Sequence, residues 1–397
     1  MMKKMLVLNF FPANHPPVTG GEIRYFNIYH KLSRYYDITL LSQAGTRRTV
    51  QFSPSFREYR VPADPRHIQI ITELVQELSS GRHGYELNLI KNLKLAQHPT
   101  LYKKVLDRLY ETSDIIVHES SYLVEYDQNL GSDQKLRIYN SHNHDFLLAQ
   151  NIWKNKNARK YLPLVYKLEK KLTTNANLVF ATSTGERDSF ITMYNLNPAK
   201  VKIAPNGINP DEWLKRQDIS RKRPGETVKA LFIGSYYPPN IEAVDYVITY
   251  LAQKCSGVEF LIAGGCCKPF SCAARSNVTL MGPISHSQKL QLFATVDLAI
   301  NPMFTGGGIN LKTLEFLSAG IPLFSTEFGI RGLELNDQQH YIKAEKKDFP
   351  DKINQFIQNK KMLIEIAQNG RSYVNHNYSW SAIAKNIKHE IDQLCGG

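Results

Sequence analysis

Short apolar runs alternate with amphipathic segments along the first half of the chain. The runs MLVLNFF and DITLLSQ have the composition of buried strands, and apolar residues recur at helical spacing in the stretch between them, GGEIRYFNIYHKLSRYY. Three more strand candidates follow, each with polar residues after it: DIIVHES, LRIYNSH and NLVFATS. Strands that alternate with helices form parallel sheets, whose functional loops lie at the carboxyl ends of the strands. The pattern therefore predicts a doubly wound α/β domain.

The same alternation starts again near residue 206. The second set of predicted strands is VKALFIGS, EFLIAGG, NVTLMGP, VDLAINPM and IPLFST. A polar, turn-rich stretch, NGINPDEWLKRQDISRKRPGET, precedes them and indicates a hinge. We predict two Rossmann-like domains, residues 1–205 and 206–375, that face a central cleft. An amphipathic helix at 376–397 is expected to pack back toward the first domain.

Length and composition agree with a soluble protein of two domains. The chain has 397 residues, of which 42% are hydrophobic and 21% charged, and it contains no run of eighteen apolar residues. The apolar run near the N-terminus includes Asn9 and meets Pro12, which is more typical of a first buried strand than of a secretion signal. Three of the five cysteines, Cys266, Cys267 and Cys272, are close together but lack the C-x-x-C spacing of a zinc site. We expect a cytoplasmic protein with reduced thiols.

The positive charge is concentrated in the first half of the chain. The net charge is +13, and residues 1–210 hold 28 Lys and Arg against 18 Asp and Glu. The basic segments also contain Tyr, Leu and Trp, as do helices that lie on an anionic membrane surface, although a solvated basic face gives the same pattern. No helix-turn-helix, zinc-finger or RNA-recognition signature is present, so nucleic acid is not an expected partner. Peripheral contact with the inner membrane face and a merely solvated surface remain the alternatives.

The segment FTGGGINLKTLEFLSAGIPLFST, residues 304–326, contains three consecutive glycines followed by one lysine and one glutamate. Glycines let the backbone approach a ligand, and the helix predicted from INLKTLEFLSAG offers free N–H groups to an anion. Lys312, in the first turn of this helix, adds a full positive charge. Glu315 lies on nearly the same face, where its carboxylate suits two adjacent hydroxyls of a ribose. Phosphates and a ribose together indicate a nucleotide.

Two other nucleotide motifs do not fit this segment. A P-loop needs Gly directly before Lys-Ser/Thr, but Leu311 precedes Lys312. A G-x-G-x-x-G motif that began at Gly306 would need glycine in place of Leu311. A glycine-rich turn that serves packing alone remains an alternative.

The segment GGGINLKTLEFLSAGIPLFST resembles the nucleotide-binding segment of family 4 glycosyltransferases, which have the two-domain GT-B fold and retain anomeric configuration. Three further stretches agree with this family in order and spacing: PPVTGGEIRYFNIYHKLSRYYDITLLS, APNGIN and LFIGSYYPPNIEAVDYVI. The resemblance covers nearly the whole chain and implies transfer of a sugar from a nucleoside-diphosphate sugar, UDP or GDP, to an acceptor hydroxyl. Many relatives act on lipid-linked or surface-polysaccharide glycans. The resemblance implies no cofactor and no metal.

The resemblance also implies which residues bind the donor. Gly20 and Gly21 would reach its distal phosphate, Glu315 its ribose, and the amides from Gly307 to Leu311 its diphosphate and sugar. The expected donor-binding residues are Gly20, Gly21, Gly234, Gly307, Gly308, Ile309, Asn310, Leu311 and Glu315, with Arg24, Asn206 and Arg331 as further candidates.

A histidine at the carboxyl end of a first-domain strand is implied as a catalytic residue, together with Lys312. His142 in IYNSHNHDF is the best match, His144 the second and His118 of IIVHES the third. Two alternatives remain: His142 is an ordinary loop residue, or His142, His144 and Asp145 ligate a metal.

Two departures from the family pattern affect the expected mechanism. The usual motif has another Glu eight residues before Glu315, where this chain has Gly307, so a familiar contact to the sugar is lost. No basic residue occurs from Gly234 to Gln253, so Lys312, with Arg331 as a second candidate, has to neutralise the leaving diphosphate.

No pair of carboxylates suits a double displacement, so we expect front-face transfer in which a phosphate oxygen takes the proton of the acceptor. A catalytically weakened scaffold that binds nucleotide sugars, an epimerase, and transfer to a protein or small molecule are the other readings of the same motifs.

Overall fold

The computed structural model describes residues 2–17, 19–78, 84–213, 227–270, 275–306 and 309–395. Contacts within the chain divide it into two compact units. The first comprises Met1–Pro205 and Ile383–Gly397, and the second comprises Asn206–Ala382.

The first unit contains a mainly parallel sheet flanked by helices. Its elements are β1 (Lys4–Leu8), α1 (Gly20–Leu32), β2 (Asp37–Ala44), β3 (Arg48–Ser53), β4 (Phe56–Pro62), α2 (Pro65–Leu78), α3 (Gly84–Leu95), α4 (Leu101–Glu111), β5 (Ile115–His118), β6 (Leu136–Asn140), α5 (Asp145–Ile152), α6 (Lys156–Arg159), α7 (Leu162–Asn175), β7 (Leu178–Ala181), α8 (Thr184–Tyr194) and β8 (Val201–Ile203). A 3₁₀ helix, Ser121–Tyr126, follows β5.

The second unit repeats this architecture on a smaller scale. Its elements are β9 (Val228–Ile233), α9 (Pro238–Tyr246), α10 (Ala252–Lys254), β10 (Val258–Ala263), β11 (Val278–Gly282), α11 (His286–Thr295), β12 (Leu298–Asn301), α12 (Leu311–Ser318), β13 (Leu323–Ser325), β14 (Ile342–Lys343), α13 (Phe349–Phe356) and α14 (Lys360–Asn377). One π-helical turn, Val247–Leu251, joins α9 to α10.

The strand orders are those of doubly wound sheets. The first sheet has the order β3-β4-β2-β1-β5-β6-β7-β8 and the second β11-β10-β9-β12-β13-β14. All pairings are parallel except that of β3 with β4. The parallel strands are nearly continuous apolar runs because helices cover both of their faces. The α/β fold with two Rossmann-like sheets is therefore confirmed, with the antiparallel edge strand β3 as an unpredicted addition.

The chain ends in a helix, α15 (Trp380–Cys395), whose apolar stripe is buried. From Ile383 onward this helix belongs to the first unit. Its residues Ile387 and Ile391 lie beside Met5 and Ile28. Of the predicted hinge, residues 214–226 lie outside the described residues.

Candidate functional site

The carboxyl ends of β9 and β12 meet at the switch point of the second sheet. The two strands are neighbours, with β10 and β11 on one side and β13 and β14 on the other. Open α/β sheets bind ligands at this kind of position. Gly234 follows β9 here, and residues 302–306 follow β12.

The turns at this switch point are packed backbone against backbone. Gly264, which follows β10, has a φ of 104°, and a Cβ on it would lie 2.2 Å from the carbonyl oxygen of Gly234. A Cβ on Gly234 would lie 2.8 Å from Cγ of Asn240. Position 264 therefore needs glycine, whereas a side chain at position 234 would have to displace Asn240. Their close packing brings Asn240, in the first turn of α9, against the end of β9.

Lys312 lies in the first turn of α12 and reaches across to the end of β9. Its Nζ donates a hydrogen bond to Oδ1 of Asn240 at 2.7 Å and lies 4.2 Å from the centroid of the Phe232 ring. Burial lowers the pKa of Lys312 to about 7, although the nearby Cys266 and Glu315 act to raise it; Arg331 has a smaller effect in the same direction as burial. Since the groups around the ammonium at hydrogen-bond and ring-contact distance are neutral, the site favours a ligand that brings negative charge.

The first turn of α12 lacks a side-chain cap. Asn310 is the N-cap residue, but its Nδ2 donates to the backbone carbonyl of Gly329 at 3.0 Å, and its oxygen accepts no bond from the helix. The amides of Leu311 and Lys312 make no hydrogen bond with the described part of the chain. Amides at a helix start, together with a lysine, can bind an anion.

Three more predicted donor-binding positions come before Asn310. Ile309 is half-buried, while Gly307 and Gly308 lie outside the described residues. Just before them, Gly306 has a φ of 128°, and a Cβ on it would lie 3.4 Å from Nη2 of Arg331. The Arg331 guanidinium, whose pKa is lowered by burial, is thus placed beside this loop.

Glu315 lies one turn after Lys312 and is engaged by another cation. Its Oε1 accepts from Nζ of Lys289 at 2.6 Å, and both side chains are about one-fifth exposed. A ribose that binds Glu315, as predicted, would therefore have to share the carboxylate with Lys289. The sequence offers no sign of this ion pair, because Lys289 lies on α11, a separate element.

The first sheet has its own switch point between β1 and β5. Gly20 and Gly21 start α1 after the loop that follows β1, and Thr19 caps the helix through a reciprocal capping box with Glu22. A Cβ on Gly21 would lie 3.8 Å from Nδ1 of His142. The structure thus brings the glycine turn and the preferred histidine together within the first unit.

Glu119, which directly follows β5, is the main partner of His142. Its Oε2 lies 2.7 Å from Nε2 of His142, and its Oε1 accepts from Nδ2 of Asn140 at 2.7 Å and from the Tyr29 hydroxyl. Glu119 is 2% exposed, so its carboxylate is available only to these neighbours. The sequence analysis did not identify this residue. A carboxylate directly after a predicted strand of the first domain could have indicated it as a functional residue.

The other two candidate histidines serve the interior of the first unit. His118 is buried, with its Nε2 3.0 Å from Oδ2 of Asp127. The His144 ring stacks on Phe190 at 4.4 Å between centroids, and its Nδ1 lies 3.0 Å from Oε2 of Glu169. The structure does not bring either of them to the glycine turn.

Arg24 and Asn206, two further donor-binding candidates, belong to different units. Arg24 is 1% exposed and donates to the carbonyl oxygen of Pro205 at 2.8 Å and to Oδ1 of Asn140 at 3.0 Å, which makes it a structural cation. Asn206 is half-buried at the start of the second unit.

His142, His144 and Asp145, considered above as metal ligands, bond to protein groups instead. Asp145 accepts from the backbone N–H and the hydroxyl of Ser121, at 2.9 and 2.7 Å, and burial raises its pKa to about 7. Across the described ranges, no group of three His, Cys, Asp or Glu side chains is arranged to hold a metal ion. Cys266 and Cys267 are buried free thiols, and Cys272 lies outside the described residues.

Two family models match the chain. Residues 227–359 match "Glycosyl transferases group 1", and residues 135–212 match "Glycosyltransferase Family 4". The second segment includes His142, and the first includes Asn240 and Lys312.

Curated relatives are distant in sequence. The "Uncharacterized 44.6 kDa protein in cps region" of Klebsiella pneumoniae is 22% identical, over 97% of this chain and 99% of that protein. The phosphatidylinositol N-acetylglucosaminyltransferase gpi3 subunit of Schizosaccharomyces pombe is 21% identical, over 58% of this chain and 51% of that protein.

Solved structures share the fold over nearly the full length of the chain. Sucrose-phosphate synthase from Thermosynechococcus elongatus has a TM-score of 0.72 at 14% identity and covers 99% of both chains. Anabaena HepE in complex with UDP has a TM-score of 0.65 at 14% identity, over 99% of this chain and 100% of that one. WaaG, a glycosyltransferase involved in lipopolysaccharide biosynthesis, has a TM-score of 0.62 at 14% identity, over 96% and 98%.

Proposed function

We propose that the chain, a glycosyltransferase of the GT-B fold, moves a sugar from a nucleoside-diphosphate sugar to an acceptor hydroxyl with retention of anomeric configuration. The observation that carries the proposal is the Lys312 ammonium, held by the neutral Asn240 next to the uncapped first turn of α12. A diphosphate brings the negative charge that this arrangement favours. HepE was solved with UDP, which supports UDP as the first nucleotide to test.

In this proposal the second unit stabilises the leaving group. Lys312 and the amides of Leu311 and Lys312 take up the charge that develops on the diphosphate, with Arg331 near the loop as a second cation. A metal ion is then not needed for that charge. The acceptor hydroxyl attacks on the face from which the diphosphate leaves, and a phosphate oxygen receives its proton. Separately, we propose that His142 in the first unit binds a sugar hydroxyl.

The decisive experiment is a donor screen followed by product stereochemistry. UDP, GDP, ADP and their sugars are tested by thermal shift, and the best binder is then tested for hydrolysis and for transfer, with EDTA present in a parallel reaction. We expect one nucleotide class to bind, turnover to persist in EDTA, and NMR of the product to show the anomeric configuration of the donor. An inverted product, or no turnover of any donor, would overturn the proposal.

The lowered pKa of Lys312 predicts that nucleotide binding takes up a proton. In the free protein this pKa is about 7, and a bound diphosphate raises it, so at pH 8 binding has to protonate the amine. Affinity is expected to fall above pH 7, by up to about tenfold per pH unit. Calorimetry with UDP at pH 8 in phosphate and Tris buffers measures the protons taken up. Equal enthalpies in the two buffers would contradict the prediction.

We further propose a lipid-linked acceptor at a membrane surface. Asp64 accepts from the backbone N–H groups of both Arg66 and Leu101, at 3.0 and 3.1 Å, which places the starts of α2 and α4 side by side. Ile68 on α2 is 70% exposed and Leu101 is 41% exposed, and the cations Arg66 and Lys104 are exposed near them. Such a surface suits an anionic bilayer. The S. pombe relative, by its name, acts on phosphatidylinositol.

This proposal predicts a specific loss of membrane binding. No helix in the described portion of the chain has the length and apolar character to cross a membrane. The Ile68→Ser/Val75→Ser variant removes two exposed apolar side chains of α2, which are 70% and 54% exposed. We expect roughly tenfold weaker flotation with phosphatidylglycerol vesicles.

The matched control changes an exposed apolar residue in the other unit. Met281→Ser, at a site that is 39% exposed in the second unit, should leave flotation unchanged. Equal binding of all variants, or equal binding to neutral phosphatidylcholine vesicles, would contradict a role for this surface.

A further inference from the structure

The hydrogen bonds around Glu119 determine which nitrogen of His142 carries a proton. Arg24 can only donate, and its Nη2 lies 3.0 Å from Oδ1 of Asn140. The Asn140 amide is thereby oriented, so its Nδ2 donates to Oε1 of Glu119 at 2.7 Å. Burial raises the pKa of Tyr29 well above its usual value, which keeps its hydroxyl a donor to the same oxygen.

Glu119 is therefore surrounded by donors and acts as an acceptor at both oxygens. The nearby Arg24 guanidinium, 1% exposed, supplies the positive charge that a buried carboxylate requires. The remaining contact of Glu119, from Oε2 to Nε2 of His142 at 2.7 Å, must then have its proton on Nε2. A neutral His142 in this position has its lone pair on Nδ1.

Nδ1 of His142 faces the glycine turn at the start of α1. It makes no hydrogen bond in the described part of the chain, and a Cβ on Gly21 would lie 3.8 Å from it. The Phe11 ring packs edge-on against the imidazole, with 5.8 Å between centroids, and helps to fix its plane. The nitrogen that points at the glycine turn is thus an acceptor.

We infer that Glu119 is a positioning residue, which holds His142 in its Nε2–H form so that Nδ1 accepts a hydrogen bond from a hydroxyl of the transferred sugar. This inference rests on the proposed function for the identity of the ligand. The tautomer itself is a property of the protein without substrate. His142 then favours a substrate group that can donate a hydrogen bond, such as a hydroxyl. A group without a proton to donate would leave the Nδ1 lone pair without a hydrogen bond, which costs free energy.

Glu119→Gln tests the inference because the Gln side chain can donate to Nε2 and so reverse the tautomer. In protein labelled with ¹⁵N-histidine, the His142 signals, assigned by their loss in His142→Gln, are expected to show Nε2 protonated in the wild type and Nδ1 protonated in Glu119→Gln. With the donor found by the screen, kcat/KM should fall about a hundredfold in Glu119→Gln. The Glu119→Gln/His142→Gln variant should be no slower than His142→Gln alone, since Glu119 acts through His142.

Gly21→Ala tests the space in front of this nitrogen with little risk to folding, and it is read together with the wild-type tautomer because Gly21 is also a predicted donor-binding residue. Its methyl group would lie at ordinary contact distance, 3.8 Å from Nδ1 and 3.9 Å from the Phe11 ring, and would block the approach of a hydroxyl. We expect kcat/KM to fall at least tenfold with the melting temperature unchanged or higher. Gly185→Ala, at the second position of α8 with nothing within 4 Å, is the matched control and should keep full activity.

The outcomes separate the inference from the proposed function. Protonation of Nδ1 in the wild type, or full activity of both Glu119→Gln and Gly21→Ala, would overturn the inference. If the wild-type tautomer is Nε2–H but no donor is turned over, only the proposed function fails. If Glu119→Gln does not fold, the wild-type spectrum and Gly21→Ala still decide.

Discussion

Lys312→Met is expected to lower turnover sharply and, at the same time, to stabilise the second unit. The ammonium is the cation at the end of β9, and removal of one such electrostatic contact to a developing charge costs about 10²–10³ in kcat. The substitution also replaces a charge that is held next to the Phe232 ring with an apolar side chain of similar length. Steady-state kinetics with the best donor and thermal melts of the same preparation measure both effects.

The pH dependence of stability provides a separate check on Lys312. Its pKa is about 7 in the folded chain and 10.5 in the reference state, so the unfolded chain binds more protons between these values. Stability should therefore rise with pH through this window in the wild type, and Lys312→Met should lack this component.

A matched control separates a specific loss from a general effect of charge. Lys361→Met removes an exposed lysine of α14 in the same unit and should leave kcat within about twofold of the wild type, as expected for a surface substitution. If the protein is a scaffold that only binds nucleotide sugars, the wild type would show no turnover, and Lys312→Met would only bind the donor more weakly. Wild-type kcat in Lys312→Met would remove the basis of the proposed mechanism.

Gly264→Ala is expected to destabilise the second unit severely. The new Cβ would lie 2.2 Å from the carbonyl oxygen of Gly234, and alanine is strained at the φ of 104°. Substitutions that combine a backbone clash with strain belong to the most damaging class, so we expect a loss of about 3–5 kcal/mol in the free energy of unfolding. Urea denaturation measures it, and donor binding should be lost together with the fold.

The control for this prediction is a glycine in open space. Gly257→Ala, in the turn before β10, would place a Cβ with nothing within 4 Å and should change stability by less than about 1 kcal/mol. If the two variants have the same free energy of unfolding, the packing of Gly264 on Gly234 does not contribute to stability and the prediction is wrong.

The positions of Gly234, Lys312 and the glycine turn could be predicted because each is set by its place along the chain. Apolar runs locate the strands, and ligand-binding loops follow their carboxyl ends. Gly21 and His142 were placed in the same way, at the ends of two different strands.

The partners of these residues could not be predicted in the same way. Asn240 is 72 positions away from Lys312, and Glu119 is 23 positions away from His142. Such contacts depend on strand order and side-chain direction, which a periodic pattern does not encode. Arg24 illustrates the opposite failure. Arg24 is a further candidate for donor binding in the sequence, but it is buried on α1, where it bonds Asn140.

The ion pair between Glu315 and Lys289 has a consequence for nucleotide exchange. A pentose diol that binds Glu315 has to share a carboxylate already bonded to an ammonium at 2.6 Å, so part of the gain from the incoming hydroxyls is spent on rearranging that bond. If Glu315 binds the ribose as proposed, we expect Lys289 to restore the pair when the nucleotide departs. Such competition would weaken retention of the spent nucleotide and favour its rapid replacement by a fresh donor.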